Sequence, residues 1–338
     1  MRRGRRAGAE MVSRVPLGRA PGLVLSAGDG VGAAARAAVG FHLRRARLEE
    51  VGARRGRVEG VHQLRVATRR LRAVLRLLAP VLPAGFVRGG RDELAWLGTT
   101  IGQVRDLDVL AQTVRARAAG LEPESRRALG PLALALHDTR VARHAALVSG
   151  LDSTRCRTLL ARLTAFVDSS PPARQQPLGA VAAELVQPLL DAVRRTGRRV
   201  TADSPPELFH RLRVRVKRLR YALETLQGLG GKVVAKTVRA LVRLQDELGE
   251  GQDAVVAIAW LRAYVETATV PPAAVLATGG VIEALARRGR KLARRFPEAW
   301  ARLDRRRLWA GVIAELREER RPPLRAGRAV PALRSTGS

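Results

Sequence analysis

Residues 62–72 read HQLRVATRRLR and residues 210–220 read HRLRVRVKRLR, and the two stretches agree at seven of eleven positions. A guanidinium presents a planar fork of donors and stays charged at any relevant pH, so arginine at this density suits phosphate oxygens. On a helical wheel His62, Arg65, Arg69, Arg72 and Arg76 fall within about 80° of arc, and the ridge they form rises about 21 Å. Leu64, Leu71, Leu75 and Leu78 occupy a separate arc that would pack on other helices. The second copy repeats this with His210, Arg213, Lys217 and Arg220, backed by Leu212, Leu219, Leu223 and Leu226. It departs at Glu224, which stands where Arg76 would be, so this ridge is expected to be weaker at its C-terminal end. Like charges at i, i+4 repel by a few tenths of a kcal/mol each. A linear polyanion lying on the ridge reverses that cost.

Other chemistries fit less well. Asp106 and Asp253, with Asp108, raise the idea of a His/Asp metal site, but neither copy has a second histidine at i+3 or i+4 and the chain has no HExxH. The aspartates are expected instead to orient basic side chains or to cap a bend near Gly102 and Gly249; Arg105, Asp106 and Asp253 are placed in a supporting role. His62 and His210 stand near helix starts, where a structural hydrogen bond competes with direct anion contact. No nucleophile with a base, P-loop or dinucleotide fingerprint is evident, so neither catalysis nor a cofactor is expected.

Composition points to the same ligand chemistry. The 338 residues carry 62 Lys+Arg against 30 Asp+Glu, a formal +32, and a compact chain with that excess calls for an anionic partner. Aromatic residues make up 3%, which disfavours single-stranded nucleic acid and its stacking platforms. Duplex backbone contact stays open as a secondary reading. With Cys156 as the single cysteine a disulfide framework is excluded, and a reducing cytoplasm is the default compartment. No run of apolar residues reaches membrane-spanning length, so no membrane partner is expected.

The elements that must hold these residues are helices, because apolar residues recur at helical spacing and alternating strand patterns are missing. Breakers divide the chain into helices at 32–56, 58–80, 87–118 (with a kink near Gly102) and one long or two shorter helices over 123–166. The Pro-rich SSPPARQQP (169–177) follows, and then the order restarts at 178–199, 206–228 and 232–266. A second match, Leu97–Leu110 on Leu244–Ala257 with Gly102/Gly249 and Asp106/Asp253, lies at an offset of 147 residues against 148 for the histidine motif. Two matches at nearly one offset indicate an internal duplication. The expected fold is all-α, two pseudo-twofold-related bundles of about four helices each. A first repeat at 28–168 and a second at 178–318 would lie between disordered tails at 1–27 and 319–338.

HQLRVATRRLR, HRLRVRVKRLRYALE, IGQVRDLDVL and LGEGQDAVV, in that order, resemble the CHAD (conserved histidine α-helical domain) family over about residues 28–318. The resemblance implies two helical bundles and a non-enzymatic protein that binds inorganic polyphosphate along basic surfaces, often at polyphosphate granules. By position, the phosphate contacts it implies are Arg65, Arg69, Arg70, Arg72 and Arg76 with Arg213, Lys217, Arg218 and Arg220. His62 and His210 are the namesake histidines. Gln252 stands where the family usually has Asn, which affects one local hydrogen bond. A metal-dependent phosphohydrolase is a third reading, below polyphosphate binding and nucleic-acid backbone binding. The ExExK motif of the hydrolase domain fused to some members is missing from this chain.

Overall fold

The computed structural model describes residues 22–170 and 176–318. The expected N-terminal tail as far as residue 21, the middle of the Pro-rich linker (171–175) and the C-terminal tail from 319 lie outside the described residues. Within them every extended element is a helix, and the one strand-like pairing is an isolated bridge between Gly30 and Pro177. The helices are α1 (Val31–Arg54), α2 (Val58–Leu77), α3 (Ala84–Ala118), α4 (Pro123–Ala128), α5 (Gly130–Asp152), α6 (Thr154–Asp168), α7 (Leu178–Gly197), α8 (Pro206–Thr225), α9 (Lys232–Thr267), α10 (Pro272–Leu303) and α11 (Arg306–Glu318). No described helix is long and apolar enough to cross a membrane.

Local chemistry explains the boundaries. Pro206 and Pro272 stand at the first turn of α8 and α10, where the missing N–H costs nothing. Ser153 caps α6, its Oγ accepting from the Cys156 N–H at 3.1 Å. The start of α9 is capped from afar: the Glu315 carboxylate on α11 accepts from the N–H groups of Gly231, Val233 and Val234 at 2.8–3.0 Å. Helix α3 runs through Gly102 as one helix, and one correction to the sequence reading follows: residues 123–166 hold three helices, α4 to α6, since the chain turns at Leu129 and again at Ser153.

Helices α1, α2, α3 and α6 pack on one another, as do α7, α8, α9 and α11, and the two groups meet where α2 lies against α8. Helices α1 and α2 cross so closely at Gly52 and Gly60 that a Cβ on Gly60 would collide with the Gly52 backbone. The leucine arcs read from the wheel are all interior: Leu64, Leu71 and Leu75 on α2 with Leu78 at its C-terminal cap, and Leu212, Leu219 and Leu223 on α8 with Leu226 at its C-terminal cap, none more than 2% exposed. At roughly 2 kcal/mol for each fully buried leucine, these two faces anchor the helices that carry the cations. One continuous core joins both groups. A second core gathers the far ends of α3 and α9 with α4, α5 and α10, around Leu107, Leu110, Leu132, Leu261, Val281 and Leu285. The two longest helices therefore cross from one core to the other, and Gly102, Asp106, Gly249 and Asp253 lie along that crossing.

Residues 22–27, assigned to the tail by the sequence reading, belong to the folded body. Leu25 is 2% exposed, and Ala27 and Asp29 accept from the Gly179 and Leu178 N–H groups at 2.9 and 2.7 Å. A tail judged by its charge alone hides one leucine with a place in the core. Trp300 and Trp309 are buried, whereas Trp96 and Trp260 are half-buried, Trp96 lying under the Arg155 guanidinium at 4.5 Å.

Candidate functional site

Because both leucine arcs turn inward, the cationic faces of α2 and α8 turn toward each other. With α3 and α9 as walls they line a cleft of about 380 Å³ that brings together His62, Arg65, Arg69 and Arg105 from one half with His210, Arg213 and Lys217 from the other. Asp106, Asp253 and Gln252 stand on its walls. At Arg69 and Lys217 it meets a second cleft of about 540 Å³, lined by Arg72, Arg76, Arg218 and Tyr221 and by an apolar wall from α7. A third, about 340 Å³, runs between α2 and α3 past Arg65, Arg69 and Arg72. Arg69 lines all three clefts. The ridge predicted on one helix is thus a rail shared by three neighbouring clefts.

Each Gly-x₃-Asp stretch seats one arginine. Arg65 lies flat across Gly102, where a Cβ would strike its guanidinium. It donates to the Gly98 carbonyl at 2.8 Å and faces the Asp106 carboxylate at 3.5 Å. In the other half Arg213 passes Gly249 at ordinary contact distance and faces Asp253 at 3.8 Å. The glycine makes room and the aspartate, one turn on, aims the charge. Asp108 does something else: buried, it accepts from Arg140 Nε at 2.6 Å, and Arg140 also donates to the Gly56 carbonyl, tying α3 and α5 to the α1–α2 turn. Among the described residues no group of histidine, cysteine, aspartate and glutamate could hold a metal ion.

The junction of α2 and α8 uses residues whose roles the sequence did not disclose. The Tyr221 ring carries the guanidiniums of Arg69 and Arg70 at 5.3 Å and of Arg220 at 4.8 Å, so one quadrupole holds three like charges together. Glu224 pairs with Arg70 across the junction at 2.8 Å and with Arg220 at 3.4 Å. The residue that interrupts the second ridge is therefore a clamp between the helices, and it occupies Arg70 and Arg220, two of the expected phosphate contacts. The one hint was position, since Tyr221 directly follows the second motif. His210 is exposed and its Nδ1 lies 2.8 Å from Gln252 Oε1, so glutamine makes the local hydrogen bond at this departure from the family pattern. His62 is half-buried in the cleft; burial, then the neighbouring Arg105, push its pKa down.

Crowding leaves a clear electrostatic signature. Burial, followed by Arg213 and Arg69, lowers the Lys217 pKa to about 7. Burial, with Arg218, Arg72 and Arg91 nearby, lowers Arg76 to about 10. Arg69, Arg213 and Arg218 shift the same way, again first through burial. Asp253 is raised by burial in spite of Arg213 and Lys217. The Nε groups of Arg69, Arg72 and Arg213 are buried without a protein acceptor. An unsatisfied buried donor costs about 1–3 kcal/mol, and an anion in the cleft removes that cost while restoring each lowered pKa.

An all-helical protein with a cationic cleft between two packed helix groups is the class these observations define. The model of the CHAD domain family matches residues 37–262, well over half the chain, and the protein belongs to that family. It is similar to the crystal structure of the CHAD domain from the plant Ricinus communis, with 28% identity over 86% of this chain and 97% of that one and a TM-score of 0.71. PptA from Streptomyces chartreusis shares the fold at 22% identity, covering 82% of this chain and all of that one, with a TM-score of 0.65. No curated protein matches.

Proposed function

We propose that this protein binds inorganic polyphosphate in the connected clefts between α2 and α8 and does not turn it over. The observation that carries the reading is the convergence of desolvated cations, with buried donors lacking protein acceptors, from both halves of the chain onto one space. A flexible chain with a charge on every phosphate can enter clefts of a few hundred Å³ and meet each rung in turn. A nucleic-acid duplex is too wide to enter. Single strands rely on stacking, and the one tyrosine, tryptophan or phenylalanine among the described residues lining these clefts, Tyr221, is 3% exposed and already carries three guanidiniums. Arg65, Arg69, Arg72, Arg76, Arg213, Lys217 and Arg218 are the proposed contacts, with His62 and His210 at the mouth. Arg70 and Arg220 hold the junction, and Arg105, Asp106 and Asp253 orient the rest. Recruitment to polyphosphate granules in the cytoplasm would follow from such binding.

A competition titration tests this. Labelled long-chain polyphosphate is bound to the protein at ~150 mM salt, where weak exposed contacts are screened. It is then challenged with duplex DNA, RNA or a sulfate polymer. Retention against a large molar-phosphate excess of nucleic acid is the expected result. Displacement phosphate for phosphate would make the protein a general polyanion binder, and metal-dependent release of phosphate would make it a hydrolase.

A further inference from the structure

Beside the central cleft lies another of about 340 Å³, bounded by the 201–205 loop, the start of α8, and α9 and α10. Its chemistry differs: Phe209, Val255, Leu248 and Leu292 make its walls mostly apolar, while Arg290 and Arg294 stand at its edge. Arg294 is exposed with no carboxylate partner among the described residues, whereas Arg290 pairs with Glu283 at 2.8 Å. Two acids, Asp203 and Glu247, also face the space. Gln252 lines both this cleft and the central one and is held there by His210.

Two helical glycines add a second observation. Gly251 on α9 and Gly289 on α10 both line the cleft, and a Cβ on either would meet nothing within 4 Å. Glycine inside a helix costs stability relative to alanine, and here alanine would fit. What the pair provides is open space bounded by bare backbone, a surface suited to a flat ring. A polyphosphate run would gain little from apolar walls and would meet the two acids. A lipid tail would also meet them. A heterocyclic base fits all three features: its face lies on the apolar walls and its amino or ring N–H groups donate to Asp203 or Glu247. Its phosphates take the direction of Arg294 and Gln252.

We propose that this cleft receives the base and sugar of a nucleoside 5′-oligophosphate whose phosphate tail passes Gln252 into the central cleft toward Arg213 and Lys217. The inference rests on the anion-binding reading of the central cleft. Calorimetric titration of the full chain with inorganic tripolyphosphate, ATP and GTP tests it. At least one nucleotide should bind ~10-fold or more tighter than tripolyphosphate. Gly289→Phe, which fills the space, should erase that margin and leave tripolyphosphate affinity unchanged. Val255→Glu, at an exposed position on the same wall, gives a second reading should Gly289→Phe fail to fold. Equal affinities for nucleotide and tripolyphosphate in the wild type, or a margin that survives both variants, would overturn the inference. Nucleotide binding that depends on Gly289, with no binding of tripolyphosphate or long polyphosphate, would overturn the central-cleft reading and with it the path assigned to the phosphate tail, whereas tripolyphosphate binding without a nucleotide margin would overturn this inference alone.

Discussion

Helices α2 and α8 carry nearly the same eleven residues, yet they use them differently. On α2 the ridge is a rail of fixed charge: Arg65 is seated on Gly102 and bonded to a carbonyl, Arg69 reaches three clefts, and Arg76 continues into the second cleft. On α8 Lys217 replaces Arg69 with a group that titrates near neutrality, and Glu224 replaces Arg76 and binds Arg70 and Arg220. One copy of the motif supplies constant attraction. The other joins the helices and makes part of the attraction depend on pH.

The difference is broken most severely by reversing charge. Arg65→Glu with Arg69→Glu should lower affinity for long-chain polyphosphate by ~100-fold or more, about 2.8 kcal/mol at 1.4 kcal/mol per decade. Arg213→Glu with Lys217→Glu should cost ~10-fold, and equal losses in a filter-binding titration would count against the ranking. Next comes the clamp. Glu224→Gln leaves Arg70 and Arg220 crowded without their carboxylate, and since the pair is partly exposed the cost is about 1–2 kcal/mol rather than the full penalty of a buried pair. A thermal melt should show a drop of several degrees, with polyphosphate restoring more stability to this variant than to the wild type.

Lys217 sharpens the contrast through pH. Its folded pKa, near 7, lies below the ordinary 10.5. The unfolded chain therefore holds the extra proton between these values, and this residue's effect on stability improves as pH rises from about 7 to 10.5. Polyphosphate acts in the opposite sense, because it favours the protonated amine. The ligand gains the full Lys217 contribution below pH 7 and loses it progressively as pH rises through the free-state pKa. Affinity should fall by several-fold from pH 6.5 to 9 in a titration series, and Lys217→Arg should flatten that slope; an unchanged slope would remove Lys217 as its source.

The smallest expected effect separates the two glycines. Gly102→Ala displaces Arg65 and should weaken binding a few-fold while leaving helix stability unchanged or improved, because alanine is the better helix former. Gly249→Ala meets only an ordinary contact with Arg213 and should change affinity little. Comparable losses in the two variants would show that Arg65 has no special seat.

The helical class, the dry leucine arcs and the cationic ridges were legible because they are local: a period of 3.6 residues sorts side chains by face before any partner is chosen. The Gly-x₃-Asp stretches were visible as a repeat, but that each seats an arginine 36–41 residues upstream was not. Glu224 read as a gap in a ridge because its partner Arg70 lies 154 positions away in sequence, and nothing local beyond its place after the second motif marked Tyr221, because the cations around it arrive from two helices. Asp108 read with Asp106 as a possible ligand pair, and Arg140 on α5 takes it for the fold.

The sequence by itself determined which residues carry charge, which carry the core and on which side of a helix each stands. Tertiary structure alone decided that the two ridges face one another, how deeply each cation is taken out of water, and hence which ones titrate and which ones wait for an anion. Charge is a property of the residue, whereas desolvation and proximity are properties of the neighbours that folding supplies.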